Sequence, residues 1–446
     1  MFKKPARIIA IDFGSSRIRV FLGEQTKDNN CSIIGYGTSS SDGAISKGVI
    51  QDMDAARHAL REALEMAHQK TSQIPPRLIA IGLNTPRTET YTKEGVLKLK
   101  NEEITEEHLY KVLEIAQQEI NKSEQELLTS IPSYEWYIDN LGVQQPLGMK
   151  ANQLKIRVHI TLVPRAIIEN LRSCIENELY LNYSVPYHFI YNPIATALGS
   201  LTSEDMELGT LIIDIGKTTT NLTLFSDHKL LYASTFDFGT IFMSRDISAM
   251  FKVTFDEANK LIHDYGISEE LIKKNIMLNL SSNNPISSYP YPSTNEGKNS
   301  PIYLQSALEG FNRNIPRIEL EGVIFARAQE MILTLKEEIE KKKFTSSFLR
   351  GIVLAGGGAK LKNIDILTGK IFNAPVRIAR PQGFPNLPQP VNDPEFATVA
   401  GILRHGFAHY NAIQKGYVLQ NRKIVSQLWN TLSFPFKTIF SQIKKD

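Results

Sequence analysis

The sequence predicts an α/β fold in which buried strands end in glycine-containing turns. The prediction rests on three segments, residues 8–18, 211–220 and 351–361, in which an apolar, β-branched run leads into a turn with glycine. A short apolar run that ends in such a turn is typical of a buried strand. The chain has 446 residues, of which 42% are hydrophobic and 22% charged. This length and composition indicate a globular protein of two or more domains.

The first two segments share an arrangement that suits phosphate. An aspartate, Asp12 or Asp214, stands at the end of each apolar run, directly before the turn. Glycine lets backbone N–H groups approach an anion, and the small hydroxyl residues that follow add hydrogen-bond donors. An aspartate at this place can hold Mg2+ through its water shell. One such segment alone fits an ordinary strand and turn, but both together with the glycines 356–358 predict a nucleotide site.

These motifs resemble the superfamily of actin, Hsp70 and sugar-kinase ATPases and, within it, the FtsA family of bacterial cell-division proteins. In the superfamily the first two segments are the phosphate loops and the third is the adenosine loop. Residues 192–199 and 396–403 resemble its two connecting helices, and residues 322–332 resemble its Arg-x-x-Glu helix beside the adenosine. The resemblance covers nearly the whole chain. It implies a two-lobed actin-like ATPase fold with ATP and Mg2+ as cofactors.

The resemblance also implies which residues contact the nucleotide. Asp12 and Asp214 are the expected Mg2+ contacts, through water. The expected phosphate contacts are Gly14, Ser15, Ser16 and Arg17 on one side and Gly216, Lys217, Thr218 and Thr219 on the other. The expected adenosine contacts are Gly356, Gly357 and Gly358. Arg327 and Glu330 are candidates for contact with the base or ribose, and a surface ion pair at i,i+3 is the alternative.

Two departures from the family pattern bear on hydrolysis. The second phosphate loop has Lys217 and Thr218 where the family usually has glycines, and Asn221 where an aspartate commonly follows. The first connecting helix offers only Asn192 as a polar candidate for orienting water, whereas ATPases that hydrolyse briskly have Glu or Gln there. A general base must lie within hydrogen-bond reach of that water. We therefore predict that ATP is bound and is hydrolysed slowly or not at all.

The predicted elements divide the chain into two lobes with an insertion. Residues 1–83 and 164–204 are assigned to the first lobe, and 84–163 to a small inserted α/β subdomain. Residues 205–243 and 344–404 are assigned to the inner part of the second lobe, and 244–343 to its outer part. Helices are predicted over 55–69 and 106–121, strands near 134–138 and 155–161, and a polar surface loop over 281–300. In FtsA-like proteins the insertion contacts neighbouring subunits and later division proteins; a plain α/β insertion is the alternative.

The last residues carry an amphipathic pattern. After a linker predicted over 405–424, apolar residues at three- and four-residue steps form one stripe of a helix over 425–446, with a kink at Pro435. Aromatic residues on one face with lysine nearby are typical of a helix in the membrane interface, and packing on the protein's own core is the alternative. FtsA-like proteins end in such a helix. The expected membrane contacts are Leu428, Trp429, Leu432, Phe436, Ile439, Phe440 and Ile443.

Composition narrows the function classes. A net charge of +3, without Lys and Arg interleaved with aromatics, argues against nucleic acid as a partner. The 2 cysteines are too few for a disulfide framework and indicate a reduced cytoplasm. No apolar run approaches the roughly 20 residues that span a bilayer, and the N-terminal run does not resemble a signal peptide.

The resemblance to FtsA implies a function and partners. It implies an actin-like ATP-binding protein that polymerises on the cytoplasmic face of the cell membrane at the division septum. There it would tether the ring of the tubulin-like protein FtsZ and recruit later division proteins. The C-terminal peptide of FtsZ would dock on the outer part of the second lobe, where Arg313 and Arg317 are candidates for binding its acidic groups. A solvated arginine is the alternative for Arg317. The alternatives are a pilus-assembly actin-like ATPase and a sugar-kinase-like enzyme.

Overall fold

Two five-stranded sheets with the same topology form the centre of the molecule. The computed structural model describes residues 6–25, 31–41, 43–69, 75–117, 125–143, 145–179, 185–273, 302–305 and 312–414. In each sheet, three antiparallel strands from consecutive hairpins are joined by two later strands that run parallel to the first. Each sheet is the centre of one lobe, which confirms the predicted two-lobed α/β fold.

The elements of the first lobe and its insertion come first along the chain. The strands are β1 (Arg7–Phe13), β2 (Arg17–Gln25), β3 (Cys31–Ser40), β4 (Ile45–Ser46), β5 (Val49–Ile50), β6 (Leu78–Leu83), β7 (Glu89–Glu103), β8 (Gln125–Ile138), β9 (Leu141–Val143), β10 (Lys150–Pro164) and β11 (Tyr187–Tyr191). The helices are α1 (Met53–His68), α2 (Glu106–Gln117) and α3 (Arg165–Leu179).

The second lobe follows, together with the two helices that connect the lobes. The connecting helices are α4 (Asn192–Ser200) and α10 (Ala397–Gln414). The helices and strands of the second lobe are α5 (Ser203–Leu208), β12 (Thr210–Ile215), β13 (Thr220–Ser226), β14 (Lys229–Phe236), α6 (Ile241–Phe251), α7 (Phe255–Tyr265), β15 (Ile302–Gln305), β16 (Asn312–Ile315), α8 (Arg317–Lys341), β17 (Gly351–Ala355), α9 (Ile364–Phe372) and β18 (Val376–Ile378).

Both faces of the first-lobe sheet are buried. The strand order is β11-β6-β1-β2-β3. In β1, Ile8 and Ala10 face the core that the connecting helices share, whereas Ile9 and Ile11 face the core under α1 and α3. Burial on both faces explains the continuous apolar runs, since neither face of the strand meets water. Helix α1 begins two residues before the predicted start because Asp52 caps it and accepts hydrogen bonds from the next N–H groups.

The second-lobe sheet has the order β14-β13-β12-β17-β18. One face packs on the core of the connecting helices, and the other is covered by α6, α7, α8 and α9. Because β12 corresponds to β1 in this topology, the two predicted phosphate loops occupy equivalent places in the two lobes.

The insertion forms its own sheet in the order β7-β10-β8-β9, with α2 packed on β7 and β10. Its core is separate from those of the lobes and includes Leu109, Trp136, Leu154 and Ile156. The two predicted strands are longer in the structure, where they form parts of β8 and β10. The predicted helix over 106–121 is described as α2, and its last residues lie outside the described part of the chain.

Each of the two connecting helices packs on the lobe opposite to the one that precedes it in the chain. Helix α4 follows a first-lobe strand and packs on the second-lobe sheet, while α10 follows the second lobe and packs on β1, β2 and β6. The predicted linker over 405–424 is wrong at its start, because residues 405–414 continue α10. His405, Phe407, Ala408 and His409 are buried there. Gly406 permits this contact, since a Cβ at that position would lie 2.9 Å from the Ala80 side chain.

The remaining predictions for this region fall outside the described residues, namely the surface loop over 281–300 and the amphipathic helix over 425–446. Among the residues that are described, no helix has the length and apolar character needed to cross a membrane.

Candidate nucleotide site

The two strand-end aspartates lie in matching hairpins. In the β1–β2 hairpin Asp12 is the register partner of Arg19, and in the β12–β13 hairpin Asp214 is the register partner of Asn221. All four residues are buried. The residue opposite each aspartate is therefore a cation in the first lobe and a neutral amide in the second.

Asp12 is held by a helix and by its neighbouring strand. The Asn192 amide donates to Asp12 Oδ1 from α4 at 3.0 Å, and Arg19 Nη1 lies 3.7 Å from Asp12 Oδ2. Burial raises the pKa of Asp12, and the charge of Asp214 adds to the rise. The charge of Arg19 and the hydrogen bond from Asn192 lower the pKa of Asp12, but it stays above its ordinary value.

Asp214 receives its donors on one oxygen. Its Oδ2 accepts from the Asn221 amide at 2.9 Å, from the Thr196 hydroxyl at 3.0 Å and from the Thr398 hydroxyl at 3.5 Å. Burial nevertheless raises the pKa of Asp214 above its ordinary value despite these donors. The donors come from β13, α4 and α10, so both connecting helices meet at this carboxylate.

The two predicted phosphate loops contact each other across the lobes. Ser15 Oγ and Thr218 Oγ1 share a hydrogen bond of 2.7 Å. Thr218 Oγ1 also accepts from the Lys47 backbone N–H at 3.1 Å, and the Asn84 amide donates to Thr219 Oγ1 at 2.9 Å. The hydroxyls predicted for phosphate thus lie together at the lobe interface.

The other predicted phosphate contacts of the first two loops differ from one another in exposure and hydrogen bonding. Gly14 forms a tight turn, because a Cβ there would lie 2.6 Å from the Arg17 carbonyl oxygen. Ser16 and Arg17 are exposed. In the second loop, the carbonyls of Gly216 and Lys217 accept N–H groups from the residues that begin α6, at 3.0 and 2.9 Å. The Gly216 N–H is also occupied, since it donates to the Thr219 carbonyl at 2.9 Å.

The three glycines of the third loop have different surroundings. A Cβ on Gly356 would lie 2.4 Å from Asp214 Oδ1, and a Cβ on Gly358 would lie 2.3 Å from the Ile215 side chain. Gly357 is exposed, with no atom within 4 Å of its Cβ position. Gly356 therefore brings the loop against the aspartate, Gly358 packs it on β12, and Gly357 is the exposed residue of the three.

Two functional candidates that the sequence reasoning missed are Arg19 and Glu395. Arg19 Nη2 lies 2.7 Å from Glu395 Oε2, and Lys360 Nζ lies 3.5 Å from the other oxygen. Burial raises the pKa of Glu395, but Arg19, Lys360 and Arg17 together hold it below its ordinary value. The signal for Arg19 was available, since a hairpin that turns at 14–17 places residue 19 opposite residue 12. Nothing local in the sequence marks Glu395.

Two family models match the chain. The model described as cell division protein FtsA matches residues 211–401, and the model described as the SHS2 domain inserted in FTSA matches residues 86–162. Together they match more than half of the chain, including one side of the site and the inserted subdomain. The chain belongs to the FtsA family. It is an actin-like cell-division protein.

FtsA proteins from other bacteria match over nearly the full length. The FtsA of Neisseria meningitidis serogroup B is 26% identical over 402 residues, which cover 89% of this chain and 89% of that protein. The FtsA of Borreliella burgdorferi is 26% identical over 428 residues, which cover 94% of this chain and 97% of that protein. The family assignment therefore applies to both lobes and the insertion.

Solved structures show the same fold. The PilM–PilN type IV pilus biogenesis complex matches with a TM-score of 0.61 and 13% identity, over 90% of this chain and 98% of that chain. MreB 5 of Spiroplasma citri bound to AMPPNP matches with a TM-score of 0.50 and 14% identity, over 92% and 99%. Identities this low support the actin-like fold and no shared function, so the pilus-assembly alternative gains nothing from the first match.

Asn192, the polar candidate of the first connecting helix in this FtsA-family chain, lies against Asp12. Its amide nitrogen donates to Asp12, and its Oδ1 is buried without a hydrogen-bond partner in the described part of the chain. That oxygen faces β6, where a Cβ on Gly82 would lie 2.3 Å from it. The amide therefore positions Asp12 rather than orienting water.

The other FtsA-like candidates lie in the outer part of the second lobe. Arg327 makes two hydrogen bonds to Asp246 of α6, at 2.6 and 3.0 Å, and one to Glu330 at 2.7 Å. The i,i+3 ion pair is thus formed, and contact with a base stays a prediction. Arg317 begins α8, pairs with Glu321 at 2.8 Å and is half exposed. Arg313 lies in β16 opposite Leu304.

Proposed function

We propose that this FtsA-family chain binds ATP with Mg2+ between its lobes and holds the division ring on the cytoplasmic membrane. The observation that carries the nucleotide part is the pair of buried aspartates at equivalent strand ends, joined by loops that contact each other through Ser15 and Thr218. AMPPNP bound to the Spiroplasma protein of the same fold supports a nucleotide in this cleft.

The donor set fits a divalent cation. Asp12 and Asp214 are buried carboxylates with raised pKa values, and the negative charge of Asp214 contributes to the rise at Asp12. A cation nearby would offset both charges. No group of three or more His, Cys, Asp or Glu that could hold a metal lies within the described residues. Phosphate oxygens and water would complete the shell, as Mg2+ prefers, and bound Mg2+ would neutralise phosphate charge.

We expect hydrolysis to be slow or absent. Asn192 is committed to Asp12, and its free oxygen faces Gly82. A base would have to reach the attacking water directly or through one further water. Bound ATP would therefore act as a structural ligand that holds the lobes in one arrangement.

The membrane part of the proposal rests on the amphipathic pattern over 425–446. One such helix binds a membrane reversibly, whereas several helices joined in a polymer bind at high effective concentration. Polymerisation at the inner face of the cell membrane would therefore anchor the ring. Arg317 and Arg313 are the proposed contacts for the acidic C-terminal peptide of FtsZ, and the inserted subdomain is the proposed contact for later division proteins.

Liposome flotation tests the anchor. The full chain is expected to float, and Mg-ATP to strengthen its binding, while a chain that ends at Gln420 stays in solution. Trp429→Glu places a charge on the apolar stripe and Asn430→Glu places the same charge on the polar face. Loss of flotation in the first variant alone supports a membrane helix. Equal flotation of the full and shortened chains would contradict it.

A further inference from the structure

The two connecting helices cross in backbone contact. A Cβ on Gly401 of α10 would lie 1.7 Å from the Ala195 carbonyl oxygen of α4. A Cβ on Gly199 of α4 would lie 1.9 Å from the Ala397 carbonyl oxygen of α10. Because α4 packs on the second-lobe sheet and α10 on the first-lobe sheet, any change in the angle between the lobes must change this crossing.

A pair of hydroxyls joins the crossing to the predicted site. Thr196 of α4 and Thr398 of α10 lie 2.8 Å apart, oxygen to oxygen. Both hydroxyls also face Asp214 Oδ2, at 3.0 and 3.5 Å. Both threonines are buried, Thr196 completely. The carboxylate at the end of β12 is therefore linked by hydrogen bonds to both helices at the place where they cross.

The other end of the crossing is fixed independently of Asp214. The Arg404 guanidinium of α10 donates to the Leu198 carbonyl of α4, and Arg404 is buried. A buried charge-assisted hydrogen bond of this kind is costly to break. The crossing thus has a fixed contact at Arg404 and a contact at the threonine pair that depends on the aspartate.

The threonine pair can form two different hydrogen-bond arrangements, because each hydroxyl has only one hydrogen to donate. Each hydroxyl donates one hydrogen bond and accepts others. While Thr196 donates to Asp214, Thr398 can donate to Thr196. When a ligand in the cleft draws Asp214 Oδ2 away from the pair, Thr196 can donate instead to the Asn192 carbonyl one helical turn earlier, 3.0 Å away. Whether Asp214 Oδ2 accepts from this pair therefore decides whether the two helices are hydrogen-bonded to β12.

We propose that Thr196 and Thr398 are positioning residues that couple Asp214 to the crossing of α4 and α10, and so set the angle between the lobes according to the ligand in the cleft. The inference rests on the proposed nucleotide site and adds its regulation. In a polymer of this chain, the same coupling would make the shape of each subunit depend on bound Mg-ATP.

The test compares valine and serine at both positions. Thr196→Val and Thr398→Val keep the shape and remove the hydroxyl, while Thr196→Ser and Thr398→Ser keep the hydroxyl. Thr368→Val is the matched control, because Thr368 is buried in α9 and its hydroxyl donates to the Ile364 carbonyl away from the cleft. ATP affinity is measured by calorimetry with Mg2+ and with EDTA. The lobe angle is followed by electron-spin distances between labels at Glu65→Cys and Glu337→Cys, two exposed positions, in a Cys31→Ser background.

Mg-ATP is expected to shift the interlobe distance in the wild type, the serine variants and the Thr368→Val control. The valine variants should lose that shift and bind Mg-ATP about tenfold more tightly, because the hydrogen bond to a charged group that the ligand must break is already absent. Their affinity in EDTA should stay near the wild-type value, and the double variant should gain no more than the single ones, since the pair acts as a unit.

Valine variants that keep the Mg-ATP shift would overturn the coupling while leaving the nucleotide site in place. Serine variants that fail to restore the shift would also overturn it, because the hydroxyl would then not be the group that matters. A wild-type chain that binds no nucleotide under either condition would contradict the proposed function itself.

Discussion

At the scale of single residues, the two aspartates show that burial outweighs the hairpin partner in setting a carboxyl pKa. Asp12 faces a guanidinium and Asp214 faces an amide, yet burial raises the pKa of both carboxyls. Two buried carboxylates whose charges repel each other destabilise the fold, and the cation that we propose for this site would offset that cost. A single substitution that removes one of the two charges should therefore stabilise the ligand-free chain.

Asp12→Asn is expected to raise the melting temperature of the ligand-free chain by about 1–3 °C, because a neutral amide removes a charge whose burial is unfavourable. It should also abolish most of the Mg2+-dependent part of ATP affinity. The buried carboxyl of Asp12 also makes the stability of the wild type depend on pH. A folded-state pKa above the ordinary value means that this carboxyl favours the folded state at low pH, and that the contribution is lost as pH rises through the folded pKa.

Thermal unfolding with and without Mg-ATP, and calorimetric titration, check this prediction. Asp54→Asn serves as a control, since Asp54 is exposed in the first turn of α1. A ligand-free Asp12→Asn chain that melts below the wild type would contradict the account of the site.

At the scale of elements, α10 shows why the linker predicted over 405–424 was wrong over its first ten residues. Residues 405–414 contain two histidines and a glycine, which look polar and flexible in isolation. In the fold, His188 of β11 stacks between His405 and His409, with ring centroids 4.9 and 3.8 Å away. His188 Nε2 and His405 Nδ1 share a hydrogen bond of 2.9 Å. The histidines therefore form part of the core that holds α10 to the first lobe.

The stacked histidines should make the chain sensitive to acid. Burial lowers the pKa of His405 to about 3 and of His409 to about 4, and that of His188 well below its ordinary value. Between pH 6.5 and about 4 the unfolded chain binds protons that the folded chain does not. The contribution of these histidines to the free energy of unfolding is therefore complete above pH 6.5. As the pH decreases through the window, the free energy of unfolding decreases by about 1.4 kcal/mol per pH unit for each such histidine.

His409→Phe removes one of these groups and keeps an aromatic ring. Urea unfolding at pH 7.5 and pH 5 should show a smaller loss of the free energy of unfolding in the variant than in the wild type. An unchanged pH slope would show that His409 does not titrate in this window.

The helix crossing supplies a prediction with an internal control. Gly401→Ala would place a methyl group 1.7 Å from the Ala195 carbonyl oxygen. The helices must then separate, and we expect the free energy of unfolding to fall by about 3 kcal/mol or more. Gly322→Ala in α8 meets nothing within 4 Å and should raise the free energy of unfolding by up to about 1 kcal/mol. Equal effects in chemical denaturation would contradict the close crossing.

At the scale of the whole molecule, the lobes share a core and the insertion does not. The shared core contains residues from both sheets together with α4 and α10, whereas the core of the inserted subdomain is a separate cluster. A ligand that holds the two lobes together therefore stabilises them as one unit and leaves the insertion free to respond to its own partners.

Hydrogen exchange measures this separation. Mg-ATP is expected to slow exchange of the amides in β1, β12, α4 and α10, and to leave those of α2, β8 and β10 unchanged. Equal protection of the inserted subdomain would show that its stability is coupled to the cleft through contacts other than its core.

The sequence alone determined the fold class, the three loops, the two aspartates and, through its motifs, the family. These features depend on residues close together in the chain, where an apolar run, a glycine and a strand-end aspartate leave a local pattern. Only the tertiary structure decided the remaining contacts. Arg19 with Glu395, Thr196 with Thr398 and His188 with His405 join residues 376, 202 and 217 positions apart. No local pattern encodes such pairs, because they form only when two similar lobes pack around the same pair of crossing helices.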